Sequence, residues 1–466
     1  SNGGILSAPL SSQLADWSAS IRFEDLPADV IESTKLRVLD IMGLCLAGAE
    51  TQFGKCTRDA AVVMSPPGPC SILGFQDRVS VTGAALANGA LAQALEYDDT
   101  HVESIVHMSG TAVVAALALS ETMQVSGRDL ILAIAVGNEV SCRVGSVSSG
   151  ELHKRGFHPT GLFTTFGAAY LAAKLLRLEA AITACAAGIA GSFAGGLLEC
   201  WVDGTQTKFL HSGWSAQSGI TAALLARAGV TGPAEVFEGR WGVFASHVQA
   251  ADAHRDFSRI SAGLGTLWES RKASFKPYPA AHVIHPYITA ALRLLERHRL
   301  NVEDIASVEC PVAAFIVNIV CEPVAEKVAP ATGAHGRVSL QYTLAEALFH
   351  GKLGKDAYAD KSLANPTIQA LTRKVGYYVD PSYPGPGQFK GAVKITMNDG
   401  SSFEEIEEFN RGSAENPMTQ AELTAKFHQN AAGLLSPSAR ASLAAGILAL
   451  DTLPNARELL RLAQIS

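Results

Sequence analysis

Residues 25–48 read DLPADVIESTKLRVLDIMGLCLAG, and this stretch carries the pattern that decides the fold. Pro27 suits the first turn of a helix, and Gly48 suits its end. The apolar residues between them recur at helical spacing and predict one buried face, formed by Ile31, Val38, Met42 and Cys45.

The same helical pattern extends through the first ~265 residues. It recurs at 82–96, 111–124, 128–144, 160–176 and 215–228. These segments are rich in Ala and Gly, and small residues let helices pack closely. The sequence therefore predicts a tight, all-helical domain over residues 1–267.

A change of pattern after residue ~265 predicts a second, smaller domain. Val and Ile dominate 306–320, which predicts a strand region, and 391–407 alternates around Asn-Asp-Gly, a strong hairpin signal. Helical patterns lie between these strands, at 285–297, 339–350 and 366–373. We expect an α+β lid domain over 268–408, with the helices of 409–466 rejoining the first domain, so that the fold is mainly α.

Composition excludes several classes of protein. The chain has 466 residues, 48% hydrophobic and 17% charged, which excludes disorder, and its formal net charge of −7 argues against nucleic-acid binding. The eight cysteines form no CxxC pair, and no secretory signal opens the sequence, so we expect a cytoplasmic protein. Residues 180–198 carry no charge but few large side chains, which predicts a buried helix pair rather than a membrane span.

Two polar clusters interrupt the predicted helices of the first domain. The first runs from Glu96 to His107 with three carboxylates at 96, 98 and 99; Glu96 or Asp99 could orient a histidine, and His107 could move protons near neutral pH. Such carboxylates equally often lie on a solvated surface. In the second, His158 precedes Pro159 at a helix start, where an anion could bind beside Thr160, or where the loop is only a cap.

Two further clusters contain a lysine. Lys208 lies in a Gly-flanked turn beside Phe209, where partial desolvation would favour base chemistry; the alternative is a surface lysine with His211 as a structural histidine. Lys276 precedes two prolines at the expected domain boundary, where ligand clefts often form, although the segment could be only a linker. No nucleotide motif or metal-ligand spacing accompanies them, so we expect neither a cofactor nor a metal.

Together, these segments resemble the MmgE/PrpD family, which includes 2-methylcitrate dehydratase and cis-aconitate decarboxylase. The resemblance covers nearly the whole chain, and the order of its motifs is more specific than any one of them. The motifs are LDIMGLCLAG (39–48), NGALAQALEYDDTH (88–101), RGFHPTG (155–161), GTQTKFLHSG (204–213), TGPAEVFEGRWGVF (231–244) and FKPYPAAHVIHP (275–286). The family implies a large helical domain, a lid, a homodimer and no cofactor.

The resemblance also implies a site. It places His107, His158 and Lys208 as catalytic residues, and Glu96, Thr100, Lys276 and His282 as substrate-binding residues. The chain departs from the family pattern at four positions: Glu96 replaces an Asp, Gln93 a His and Met108 a Pro, and Ala281 stands where the decarboxylase has a His, with His282 next.

These departures direct the functional expectation away from simple dehydration or decarboxylation. The closest resemblance within the family is to an activity that epimerises iminodisuccinate, a small anionic polycarboxylate. This resemblance implies cofactor-independent epimerisation, by removal and return of a proton α to a carboxylate. The alternatives are a 2-methylcitrate dehydratase-type hydro-lyase, a cis-aconitate-type decarboxylase and, more remotely, a non-catalytic binding protein.

Overall fold

Helices build the first part of the chain. The computed structural model describes residues 7–466. The helices of this part are Leu10–Ser20 (α1), Ala28–Ala49 (α2), Gln52–Met64 (α3), Val81–Gln93 (α4), Ser109–Ser120 (α5), Gly127–Gly145 (α6), Pro159–Leu175 (α7), Ala180–Ala190 (α8), Cys200–Asp203 (α9), His211–Arg227 (α10), Val243–His247 (α11) and Ser258–Ser261 (α12). All of them except the short α9 contribute to one large hydrophobic core, as the helical patterns predict.

Close helix contacts explain the abundance of glycine. A Cβ atom added at Gly89 on α4 would lie 2.2 Å from the Cα atom of Gly213 on α10. One added at Gly213 would lie 2.1 Å from the backbone oxygen of Leu86. Only a residue without a side chain allows α4 and α10 to approach this closely.

The prediction of a buried helix pair over 180–198 is wrong. Only α8 is helical there, and residues 191–199 form a partly exposed turn with Leu197 at the surface. Gly196 in this turn has a positive φ of 147°, a backbone conformation that a second helix could not contain. No helix among residues 7–466 is both long and apolar enough to cross a membrane.

Two pairs of short strands lie in this part of the structure, and the second pair joins segments that are distant in sequence. The first pair is Pro67–Ser71 (β1) with Arg78–Val79 (β2), and the second is Thr100–His101 (β3) with Ala273–Ser274 (β4). In the second pair, Thr100 lies opposite Ser274 in antiparallel register. This pairing brings the carboxylate-rich cluster next to Lys276.

The lid is a four-stranded sheet covered by helices. Its helices are His285–His298 (α13), Val324–Val328 (α14), Gly333–Gly336 (α15), Leu340–His350 (α16), Asp360–Leu363 (α17) and Pro366–Thr372 (α18). Its strands are Ile305–Val312 (β5), Val375–Val379 (β6), Gly391–Met397 (β7) and Ser402–Glu407 (β8), in the order β6-β5-β7-β8. β5 and β6 are parallel, whereas β7 is antiparallel to both β5 and β8.

The hairpin at Asn398–Gly400 forms as predicted, but the strand prediction over 306–320 is correct only in its first half. β5 ends at Val312, and residues 314–321 form a 3-10 turn and a π-helical turn. Their Val and Ile side chains contribute to the lid core from a non-extended backbone, because burial rewards apolar residues in either conformation.

The C-terminal helices complete the first domain. They are Gln420–Ala431 (α19), Pro437–Leu448 (α20) and Glu458–Leu462 (α21), and their apolar side chains belong to the helical core. Phe427 packs against Gly43 of α2, where an added Cβ would lie 3.0 Å from the Phe427 ring. Lys426 forms a buried ion pair with Asp40, with 2.8 Å between Nζ and Oδ1. The mainly helical fold with a smaller α+β lid is therefore confirmed, while the exact domain boundaries stay predictions.

Candidate active site

The structure brings the four polar clusters together between the helical domain and the lid. All seven residues implied by the resemblance are at least 93% buried, and they are Glu96, Thr100, His107, His158, Lys208, Lys276 and His282. A solvated surface for the carboxylates and a surface position for Lys208 were the alternatives, and both are wrong. So many buried ionisable groups need charged or hydrogen-bonding partners.

Glu96 lies between two lysines. Its Oε1 atom is 2.5 Å from Lys208 Nζ, and its Oε2 atom is 3.7 Å from Lys276 Nζ. Burial raises the pKa of the Glu96 carboxyl, but the two ammonium groups outweigh it and lower that pKa to about 2. Burial also lowers the pKa of Lys276 to about 8, against the opposing effect of Glu96. The backbone at Glu96 has a positive φ of 52°, an unfavourable conformation that clusters at functional sites.

Hydrogen bonds fix the proton on His107. Its Nδ1 atom lies 3.0 Å from the backbone oxygen of Asp99 and 3.0 Å from Thr100 Oγ1. A carbonyl oxygen only accepts, so Nδ1 donates and the other nitrogen, Nε2, is left as a base. Burial, together with Lys208 and Lys276, lowers the pKa of His107 to about 3, and the ring is therefore neutral at pH 7. The His107 backbone N–H donates to Thr160, which joins the first two clusters.

His158 faces His107 from the start of α7. The two ring centroids are 5.9 Å apart. His158 Nδ1 contacts His211 Nδ1 at 2.6 Å, and its Nε2 atom is buried without a hydrogen-bond partner among the described residues. Burial, the adjacent His211 ring and the Lys208 ammonium group hold the pKa of His158 well below its usual value. Two neutral imidazoles thus lie side by side, next to two ammonium groups.

His282 lies on the lid side of this cluster. Its Nε2 atom is 3.1 Å from the side-chain nitrogen of Asn410, which also donates to Ser274 Oγ at 2.9 Å. Because Asn410 donates, His282 carries its proton on Nδ1, a buried nitrogen without a partner in residues 7–466. His285 packs against it, with 4.8 Å between the ring centroids.

Four residues near the site were not selected from the sequence. Burial raises the pKa of Asp98 to about 7, and its Oδ2 atom lies 3.8 Å from His107 Nδ1. Arg337 of the lid donates to the backbone oxygen of Leu95. His211 contacts His158, and Asn410 contacts His282. Asp98 had a sequence signal in its place beside two other carboxylates, and His211 had one in its place three residues after Lys208, where it was considered only as a structural histidine. Arg337 and Asn410 had none, because their roles depend on contacts between distant segments.

The Asp99 carboxylate is paired with other side chains and has a structural role. It pairs with Arg37 at 2.9 Å and accepts a 2.5 Å hydrogen bond from Ser109 Oγ at the start of α5. It orients His107 through its backbone oxygen only. The expectation that a neighbouring carboxylate could orient a histidine is therefore wrong for the Asp99 side chain.

A narrow pocket leads towards Glu96 and Lys208. Its walls include Trp201 and Gly204 of the helical domain and His335 of the lid. A larger cavity of about 480 Å³ lies far from this chemistry, between α1, α6 and α7. Over residues 7–466, no group of three or more His, Cys, Asp or Glu side chains is arranged to hold a metal ion.

The fold and the site define a class of protein: a mainly helical chain with a smaller α+β lid and a buried cluster of ionisable side chains between the two. Residues 12–256 match the MmgE/PrpD N-terminal domain, and residues 278–452 match the MmgE/PrpD C-terminal domain. The chain belongs to the MmgE/PrpD family.

Curated relatives extend over almost the full chain. A cis-aconitate decarboxylase-like protein from Aspergillus oryzae is 27% identical over 97% of both chains. Cis-aconitate decarboxylase from Aspergillus terreus is 28% identical over 97% of this chain and 95% of its own length. Cis-aconitate decarboxylase from Homo sapiens is 27% identical over 87% of this chain and 84% of its own length.

Proposed function

We propose that this protein is a cofactor-independent acid–base enzyme acting on a small polycarboxylate, and that its reaction is of the lyase type, with decarboxylation of a cis-aconitate-like acid as the leading candidate. The observation that carries this proposal is the pair of buried ammonium groups, Lys208 and Lys276, beside two neutral imidazoles. The decarboxylases that align along the whole chain favour the lyase reaction.

Each group has a role in such a reaction. Lys208 and Lys276 bind carboxylates and stabilise the enolate-like charge that grows as a carbon–carbon bond breaks. The electron pair of that bond stays on the substrate, carbon dioxide leaves, and an acid returns a proton to the carbon. His158 and Asp98 lie where they can give that proton, and His107, whose Nε2 atom is bare, lies where it can accept one. Thr100 and His282 bind the substrate. Glu96 keeps the two ammonium groups in place until an anion arrives.

Epimerisation of iminodisuccinate is the second candidate. It requires removal of an α-proton by one group and its return by another on the opposite face. His107 and His158, with 5.9 Å between their ring centroids, supply two such groups. The family resemblance implies a histidine in the decarboxylase at the position of Ala281, and this departure is a reason to test a reaction other than decarboxylation.

One experiment separates the candidates. The protein is incubated in D2O with cis-aconitate, with 2-methylcitrate and with single stereoisomers of iminodisuccinate. Release of carbon dioxide from cis-aconitate supports the leading proposal, whereas loss of water from 2-methylcitrate identifies a hydro-lyase. Inversion of iminodisuccinate with deuterium at the α-carbon identifies the epimerase. Binding without turnover of all three substrates would contradict the enzymatic proposal.

A further inference from the structure

The contact between His158 and His211 is shorter than any other pairing of two side-chain nitrogens in the site. Their Nδ1 atoms are 2.6 Å apart, and the ring centroids are 4.8 Å apart. Two bare nitrogens would repel at this distance, and two N–H groups would clash. The contact therefore contains one shared proton.

The surroundings keep both rings neutral. Burial lowers the pKa of His211 to about 4, with a further contribution from Lys208. His158 also faces the charges of Lys208 and the rings of His107 and His153, which act on its pKa in the same direction. Each neutral ring carries one proton, so the direction of the shared hydrogen bond determines the state of the remaining nitrogen in each ring.

The direction has a chemical consequence at His158. If His211 Nδ1 donates, His158 carries its own proton on Nε2, which can then act as an acid. If His158 Nδ1 donates, its Nε2 is bare and can act as a base. That Nε2 atom is the buried nitrogen that has no partner in the described chain.

The glycine turn after α8 holds this pair together. The backbone oxygen of Gly196 accepts a hydrogen bond from the His158 N–H at 2.9 Å. A Cβ atom at Gly196 would lie 3.1 Å from Cε1 of the His211 ring and within 3.2 Å of two of its nitrogens. Gly196 thus seats both histidines, whereas a Cβ atom at the adjacent Gly195 would meet nothing within 4 Å.

We propose that His211 is a positioning residue which, through the proton that it shares with His158, sets whether His158 Nε2 acts as an acid or as a base. The proposal rests on the proposed function, in which His158 touches the substrate. When Nε2 releases its proton to a carbanion, His158 Nδ1 takes the shared proton and His211 regains one from solvent. His211 is only partly buried, so solvent protons can reach it while His158 is 99% enclosed.

The first test needs no substrate. Protein labelled with ¹⁵N-histidine is compared with His211→Phe, which keeps a ring of similar size but cannot share a proton. The His158 ring nitrogens are assigned from the signals that disappear in His158→Gln. We expect His211→Phe to change both His158 ring signals, because Nδ1 loses its hydrogen bond. Unchanged signals in a folded variant would overturn the proposal.

Two glycine variants provide a matched pair. Gly196→Ala should displace His211 and change the same His158 signals, whereas Gly195→Ala should leave them at their parental positions. If both variants behave alike, the turn at Gly196 does not position the two histidines.

The second test is kinetic, with whichever of the three polycarboxylates the parent converts. His211→Phe should lower kcat by ~10- to 100-fold while KM stays within about threefold, and His211→Gln, which can still donate or accept, should recover most of the loss. Changed ring signals with parental kcat would overturn the positioning role. If the parent converts none of the substrates, the proposed function fails and the ring signals alone decide this inference.

Discussion

Lys208 is a buried lysine whose ammonium group contacts Glu96 in the candidate active site. It pairs with Glu96 at 2.5 Å and lies 5.5 Å from the centroid of the Trp201 ring. Lys208→Met keeps the length of the side chain and removes the charge. We expect turnover to fall by ~10²- to 10⁴-fold, because a group that stabilises the growing negative charge is lost.

The control for this prediction is Lys154→Met, which removes an exposed lysine near the second cluster. It should retain parental turnover. Activity of the folded Lys208→Met protein within about tenfold of the parent, or ~1.4 kcal/mol, would make Lys208 peripheral. If the protein is an epimerase, loss of inversion with survival of α-proton exchange would identify Lys208 as the acid that returns the proton.

His107 gives a prediction about pH and stability. Its pKa is about 3 in the folded protein and near 6.5 in an unfolded chain. Between pH 3 and pH 6.5, the unfolded chain therefore binds a proton at this residue that the folded protein does not bind. The folded state should lose stability as pH falls from 6.5 towards 3, by ~1 kcal/mol per pH unit from this residue. Stability above pH 6.5 should not change for this reason.

Urea unfolding of the parent and of His107→Gln at several pH values measures this contribution. The variant lacks the titrating ring, so the free-energy difference between the two proteins should shift in favour of the variant as pH falls below 6.5. A difference that stays constant from pH 7.5 to pH 4.5 would contradict the lowered pKa.

At the scale of elements, the close approach of α4 and α10 positions Lys208, since the turn that carries it leads directly into α10. Gly213→Ala would place a Cβ atom 2.1 Å from the Leu86 oxygen and force the helices apart. We expect a loss of about 3 kcal/mol in the free energy of unfolding, as for other overpacked contacts. Denaturant unfolding measures this loss.

Gly376→Ala is the matched control, because a Cβ atom added there meets nothing within 4 Å. Its free energy of unfolding should remain within about 1 kcal/mol of the parent. Equal effects of the two substitutions would show that the contact between α4 and α10 is not the cause.

At the scale of the whole molecule, the C-terminal helices hold the first domain together across the lid insertion. Lys426 on α19 also donates to the backbone oxygen of Tyr97 at 2.8 Å, next to the site. Lys426→Met would leave Asp40 buried without its cation and should destabilise the protein by about 3 kcal/mol. The double variant Asp40→Leu, Lys426→Met should recover much of this loss, since no buried charge then remains.

Thermal and denaturant unfolding of the single and double variants test this coupling. A single variant as stable as the parent would mean that Asp40 finds another partner or takes up a proton without cost.

A homodimer is the remaining proposal for the whole molecule. The family resemblance implies it, and the low charged fraction of 17% is compatible with a buried subunit surface. Sedimentation at micromolar protein should give a species of about twice the 48.9 kDa chain mass. A species at the mass of one chain would contradict the proposal.

The sequence by itself determined most of the local elements and the mainly helical class of the fold. Helices such as α2 and α7 and the hairpin of β7 and β8 lie where the apolar periods and turn residues predict them, because these signals act between residues close in sequence. The family motifs also identified the seven candidate residues. Two local predictions are wrong: the strand over the second half of 306–320 and the helix pair over 180–198. In both segments, apolar content did not determine the backbone conformation.

Only the tertiary structure decided how these residues act on one another. The pairing of β3 with β4 sets Glu96 beside Lys276, and the turn at Gly196 sets His211 against His158, across separations of 180 and 53 residues. Charge states and proton positions follow from these contacts, since burial and neighbouring charges act through space. No periodic pattern in the sequence encodes these contacts, because the segments that meet in the site belong to different helices and to both domains.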